Sequence, residues 1–268
     1  MTSRISFIAA LGVAALAAAP AFASSSAWSE MEGARIRLVT SGQPDESGSL
    51  RGVLDVELKP GWKTYWRDPG NSGVPPQIDI SASSNISAAE FSFPAPQLHD
   101  DGYAKWAGYD HPVRLPVTLT VPSPGQPSSI VADIFLGVCE SICVPVQARL
   151  ELDPASDPDN AENAALVTGA FAALPAPAEP EFGAELTSGA GERMSITATS
   201  PGAPEGTNLF LAGTDGYVFG TPERQADAGK AMFTVKVLER PKTKPSGKGI
   251  PYTLSSPAGA VDGFLPYP

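Results

Sequence analysis

The sequence predicts an all-β protein with one short helix, organised as two β units in series. Three observations carry this. Apolar and polar residues alternate with a period of two over many short runs, the spacing of half-buried strands. Gly (26) and Pro (28) make about a fifth of the 268 residues, and they fall between those runs as turn signals. One stretch near residue 170 switches to helical spacing. A hydrophobic content of 42% separates this composition from a disordered Gly/Pro-rich chain.

The N-terminus reads as an export signal over residues 1–23. Arg4 is a positive start, Ile5 to Ala19 is a small apolar run, and Ala21-Phe22-Ala23 is a cleavage pattern followed by Ser24-Ser25-Ser26. The run is short for a membrane span and Pro20 closes it. The expectation is a periplasmic, soluble mature chain with no membrane span, about 245 residues long and sized for two domains. Loss of Arg4 moves the formal charge from −11 to −12. That acidity argues against nucleic acid and anionic lipid as partners.

Residues 24–155 form the first expected β domain. Arg35 to Val39 and Gly52 to Leu58 alternate polar and apolar, and Gly61-Trp-Lys-Thr-Tyr-Trp66 is aromatic and strand-like. Asp68 to Gly73 and Pro75-Pro76 read as a loop. Val113 to Val121, Ile130 to Val138 and Val144 to Leu152 are further strands. Residues 156–180 are expected as a helix and a Pro-rich linker. Asp157-Pro158-Asp159 looks like a helix start. Leu166, Val167, Ala170, Phe171 and Leu174 share one face, and Pro175 to Pro180 ends the helix stiffly. Residues 181–268 are expected as a second, smaller β domain. Its strand candidates are Met194 to Thr199, Asn208 to Ala212, Ala231 to Leu238 and Pro251 to Leu254. It carries no Cys, no His and no catalytic motif.

The chemistry of the chain concentrates in Cys139-Glu-Ser-Ile-Cys143, the turn between two alternating strands. These are the only two cysteines, so in an oxidising compartment each has the other as partner. Ile130, Ala132, Ile134, Leu136 and Val138 share one face of the first strand; Val144, Val146, Ala148, Leu150 and Leu152 share the apolar face of the second. Regular strands would therefore turn both cysteines away from the core, unless a bulge intervenes. Pro145 has no N–H to give a ladder, which suits an edge strand. A bridge across so short a loop adds only about 2 kcal/mol to stability. An exposed one is open to exchange. No Lys, Arg or His lies within the turn, and Glu140 opposes a thiolate. The pair therefore reads as a disulfide that a partner's thiolate attacks, with a structural staple as the bland alternative.

Several motifs together resemble the N-terminal periplasmic domain of the DsbD thiol–disulfide interchange proteins, in the ScsB-type branch with three residues between its cysteines. They are Gly61-Trp-Lys-Thr-Tyr-Trp-Arg-Asp-Pro-Gly-Asn-Ser-Gly73, Phe93-Pro-Ala-Pro96, Gly108-Tyr109, Leu115-Pro-Val117 and Gly137-Val-Cys-Glu-Ser-Ile-Cys-Val-Pro-Val146. The resemblance covers roughly residues 30–155 closely and the remainder loosely. It implies an immunoglobulin-like β-sandwich, followed here by a linker helix and a second small sandwich-like domain. It implies Cys139 and Cys143 as the redox pair, with Cys143 the one attacked. A cap over the disulfide would fall at Asp100, Asp101, Gly102 and Tyr103, with Tyr65 an aromatic beside the site. Electrons would arrive from a thioredoxin-like or membrane transducer protein and pass to periplasmic disulfide-bearing substrates. No cofactor is implied. The chain is read as a stand-alone version, without transmembrane and thioredoxin-like parts of its own.

Two rival readings remain at this stage. A Cu(I) site could use Cys139, Cys143 and His111, since thiolates suit a soft ion; His99 is the other histidine. A redox-inert interaction module would use the disulfide as a staple. No Ser nucleophile elbow, H-E-x-x-H motif or phosphate-binding glycine loop is present, which argues against hydrolases and nucleotide enzymes.

Overall fold

The computed structural model describes residues 24–70, 73–100, 102, 105–189, 191–225 and 230–268. The expected export signal at 1–23 and the cap positions Asp101 and Tyr103 lie outside the described residues.

The first part of the chain contains β1 (Ser29–Glu30), β2 (Ala34–Thr40), β3 (Ser49–Leu58), β4 (Lys63–Tyr65), β5 (Gln77–Asp79), β6 (Ala88–Phe91), β7 (Gln97–Asp100), β8 (Lys105–Tyr109), β9 (Val113–Thr120), β10 (Ile130–Cys139) and β11 (Cys143–Leu152). Helix α1 (Ala161–Ala172) follows. The rest contains β12 (Ala176–Pro177), β13 (Gly183–Ser188), β14 (Arg193–Thr199), β15 (Asn208–Leu211), β16 (Val218–Phe219), β17 (Glu223–Gln225), β18 (Ala231–Glu239), β19 (Ile250–Ser256) and β20 (Gly259–Leu265).

Two sheets build the immunoglobulin-like sandwich. One has the order β1-β2-β3-β9-β6; the other has β11-β10-β4-β8-β7, with β5 also pairing β10. Alternation decides which residues meet between them. Ile36, Leu38, Leu54, Leu115 and Leu119 from the first sheet pack against Ile130, Ile134, Leu136, Val138 and Leu150 from the second. On the outer face of the first sheet the same alternation presents Arg37, Asp55 and Arg114 side by side across β2, β3 and β9. Asp55 is buried there and bonds both arginines, at 3.1 and 3.5 Å.

Helix α1 closes another part of that outer face. Its Val167 and Ala170 bury against Val39 and Val53, with Leu166 and Phe171 at the margin. The helix starts three residues later than the Asp157-Pro158 signal, because the Asn160 side chain accepts the Asn163 N–H at 2.9 Å as the cap. The Pro-rich segment after it is not a free linker. Ala176 and Pro177 lie parallel to β20, with Ala178 N–H donating to the Asp262 carbonyl at 2.8 Å. An edge position makes no use of the N–H that proline lacks, so the extended segment can serve as a strand.

The second sandwich stacks β12-β20-β19-β15 on β13-β14-β18-β16, with β17 on β18. Its core holds Met194, Ile196, Phe233, Val235, Tyr252 and Leu254. It also packs on the first sandwich. Phe210 and Ala212 join the first core, and the Phe210 ring lies 5.8 Å from that of Trp66. Gly213 N–H donates to Asp68 Oδ2 at 2.6 Å, and Arg67 Nη2 to Thr253 Oγ1 at 3.2 Å.

Candidate redox site

The β10–β11 ladder runs without a register shift from Ile130↔Leu152 to Cys139↔Cys143. The parity expected from the sequence therefore holds: Val138 points into the core, and both sulfurs face the other way. Cys139 and Cys143 are joined as a disulfide, and β11 is the sheet edge that Pro145 suggested. The two sulfurs are not equivalent. Cys139 is 1% exposed, whereas Cys143 is exposed. Ile142 beside it is 77% exposed. Cys139 is thus on the non-core face, as parity requires, and is covered there.

The cover comes from β4 and β8. Antiparallel pairing aligns Pro145, Gly137, Tyr65, Gly108 and Gln97 in one row across the sheet. Glycine on both sides of Tyr65 is what lets its ring lie over the sheet. A Cβ on Gly137 would sit 2.9 Å from Val74 Cβ and 3.1 Å from the Tyr65 ring; one on Gly108 would sit 3.1 Å from Tyr65 Cα. The Tyr65 hydroxyl then reaches both sulfurs, at 3.0 Å from Cys139 Sγ and 3.1 Å from Cys143 Sγ. A disulfide has no S–H, so the hydroxyl is the donor to this pair.

Trp106 completes the cover, edge-on to Tyr65 with ring centroids 5.8 Å apart. Tyr65, Trp106 and Cys139 form their own small apolar cluster, separate from the main core. His99, opposite Trp106 in the β7–β8 pair, stacks on the indole at 3.9 Å. Burial lowers the His99 pKa; Lys63 and His111 act in the same direction, and Asp110 opposes them. The Trp106 Nε1 and His99 Nε2 atoms are buried with no partner among the described residues.

The turn itself holds no cation, but the sheet supplies one. Lys63 on β4 lies directly opposite Cys139, and its Nζ sits 4.5 Å above the Trp106 ring. Sequence reasoning looked for basic residues only near the cysteines in the chain and missed this one. The available signal was the spacing Lys63-x-Tyr65, which puts both residues on one face of a strand.

The remaining sequence-predicted positions distribute as follows. Asp100 ends β7, exposed and 3.8 Å from Lys105 Nζ. His111 is exposed and pairs with Asp110 at 3.0 Å. It lines a cleft with Asp55, Pro112 and Gly169 of α1, rather than the aromatic cluster over the sulfurs. Among the described residues no three His, Cys, Asp or Glu side chains are grouped to hold a metal ion. Trp66 and Tyr109 are core residues. Tyr109 donates to the Pro94 carbonyl at 2.8 Å, and burial pushes its pKa upward.

The sequence profile of the family described as thiol:disulfide interchange protein DsbD, N-terminal, matches residues 38–155. The matched stretch contains the whole hairpin, both cysteines and the strands that cover them. Residues 38–155 are a DsbD-type N-terminal domain. With its Cys139–Cys143 bond it is a thiol–disulfide interchange module. The fold extends the likeness beyond the DsbD-type domain. The N-terminal periplasmic domain of ScsB from Proteus mirabilis superposes with a TM-score of 0.72 at 21% identity, over 91% of this chain and 99% of that one. Both sandwiches and the helix are thus shared as architecture, and the likeness to the ScsB domain is one of fold. The reduced N-terminal domain of Neisseria meningitidis DsbD aligns over 43% of this chain and 84% of its own, at 14% identity with a TM-score of 0.25. No curated protein matches the sequence. DsbD-type domains work with thiol-redox partners, and no helix among the described residues is long and apolar enough to cross a membrane.

Proposed function

We propose that the Cys139–Cys143 disulfide is redox-active in the periplasm, taking electrons from a thioredoxin-like or membrane-fed dithiol protein and passing them to disulfide-bearing periplasmic substrates. The observation that carries this is the unequal exposure of the two sulfurs. A staple needs no such difference, whereas exchange needs one sulfur open to in-line attack and the other free to leave.

Cys143 is the sulfur attacked, and Cys139 leaves under Tyr65 and Trp106. The partner's thiolate bonds to Cys143 Sγ, the Cys139–Cys143 bond breaks, and its electron pair goes to Cys139 Sγ. The partner's second thiolate then displaces Cys143, so the partner is oxidised and this module holds two thiols after proton uptake. The Tyr65 hydroxyl donates to the sulfurs throughout. The family resemblance assigns a cap over the site to Asp100, at the end of β7, and to Asp101 and Tyr103 after it in the sequence. Residues 24–155 form the redox unit, 156–180 the connection and 181–268 a support on which the first sandwich packs.

The test is capture of mixed disulfides. Cys139→Ser leaves the exposed sulfur without its resolving partner and should trap periplasmic dithiol proteins. Cys143→Ser should trap far less. Equal capture by both variants, or none, would overturn the assignment. A reduction potential below about −300 mV would mark a structural bridge instead.

A further inference from the structure

We infer that Lys63 is the electrostatic partner of the Cys139 thiolate and thereby sets which sulfur is attacked. This rests on the exchange reading above and deepens it. Three observations converge on the same face of the sheet. The β4–β10 register puts Lys63 directly across from Cys139, and such cross-strand neighbours have Cβ atoms about 4.5–5.5 Å apart. The Lys63 ammonium is held above the Trp106 ring at 4.5 Å. Trp106 in turn packs with Tyr65 and Cys139 in one cluster, so the charge is fixed on the side of the buried sulfur.

Chemistry makes this position matter at one moment. While the bond is intact neither sulfur is charged. When a thiolate bonds to Cys143 Sγ, the S–S bond breaks and its electron pair arrives on Cys139 Sγ. That anion forms under aromatic cover, where water screens little and a nearby cation counts for more. The thiol with the lower pKa leaves faster. Cys143 lies on the far side of Cys139 from Lys63, its Cα 4.1 Å beyond that of Cys139, and it is exposed and screened. The cation therefore favours one departure over the other, and burial and charge select the same direction of attack. Among the described residues the Tyr65 hydroxyl also faces this sulfur and supports the anion, while Glu140, next in the chain, opposes it. Glu140 Oε1 lies toward Gly61, 3.5 Å from where a Cβ there would be.

The experiment uses full-length reduced protein with a single thiol, followed by thiolate absorbance against pH. With Cys143→Ser, Cys139 is the only thiol, and adding Lys63→Met should raise its pKa by about one unit. Lys63→Arg should restore it, and Lys63→Gln should resemble Met. In the Cys139→Ser background, Lys63→Met should move Cys143 by no more than about a third of that, since exposed charges are screened. Reduction of the intact disulfide by dithiothreitol should slow roughly threefold in Lys63→Met, as the leaving thiolate becomes more basic. An unchanged Cys139 pKa overturns the inference, and so does an equal shift of both cysteines or a failure of Arg to restore. These readouts do not depend on partner capture. An absent shift with trapping intact rejects Lys63 alone; a present shift without trapping rejects the relay alone.

Discussion

The two ends of the β10–β11 hairpin share a register and a non-core face, yet they differ in kind. At the base that face carries Asp133, Arg149 and Glu151, exposed and joined by ion pairs at 3.1 and 3.0 Å. At the tip it carries Gly137 and Cys139, both buried. The difference comes from the neighbour of β10. Along Asp133–Phe135 the neighbour is β5, which offers Gln77, Ile78 and Asp79; at Val138–Cys139 it is β4, which brings Lys63 and Tyr65. One strand edge is divided between two short partners, and the second builds a site. Parity thus fixes where a side chain points, and the adjoining strand fixes what it meets there.

The largest way to break the tip is to fill Gly137. In Gly137→Val the new side chain would meet Val74 and the Tyr65 ring. Overpacking of this kind costs about 1–3 kcal/mol. The urea midpoint should fall, and the disulfide should be reduced faster by dithiothreitol as Tyr65 is displaced. Unchanged reduction kinetics would mean that Tyr65 does not shield the sulfurs.

A smaller effect concerns His99, whose pKa is depressed mainly by burial. The folded protein disfavours the charged ring, so as the pH falls through about 6.5 the unfolded chain takes up the proton more readily. Stability present above that pH is therefore lost below it. The urea midpoint of the wild type should drop more between pH 7.5 and 5.5 than that of His99→Phe, which keeps a ring to stack on Trp106. Equal drops would remove His99 as the source of this acid sensitivity.

The smallest effect is expected at the base. Arg149→Ala breaks two exposed ion pairs, and such pairs are worth about 0–1 kcal/mol. Its urea midpoint should barely move and its disulfide should react like the wild type. A clear change in reactivity would show that the two ends are coupled through the hairpin rather than governed by their separate neighbours.

How much of this was legible in the sequence follows the same division. The hairpin, its apolar face and the orientation of both cysteines could be read from alternation, because that information is local to residues 130–152. The strands at 34–40, 49–58, 113–120 and 194–199 were legible for the same reason. The cover over Cys139 was not. Tyr65 and Cys139 are 74 residues apart, and no local pattern encodes the register that joins them; Tyr65 was found only through family resemblance. Lys63 and the stacking of His99 on Trp106 escaped for the same reason. The short strands β7 and β8 escaped too, since Gln97–Asp100 and Lys105–Tyr109 show no apolar alternation. The strand at Ala176–Pro177 was hidden by its prolines, which signal a spacer unless an edge is there to receive them.

Residues 65–68 make four successive attachments. Tyr65 touches the sulfurs, Trp66 fills the first core against Phe210, and Arg67 and Asp68 bond to the second sandwich. Dissection of the protein into fragments has to respect this stretch. A fragment stopping after β11 would open Trp66, which is 0% exposed in the intact chain, and would strip Arg67 and Asp68, two and three positions from Tyr65, of their partners in the second sandwich. Redox measurements on such a fragment would describe a disulfide whose nearest support had been cut away. A piece that keeps both sandwiches keeps these attachments.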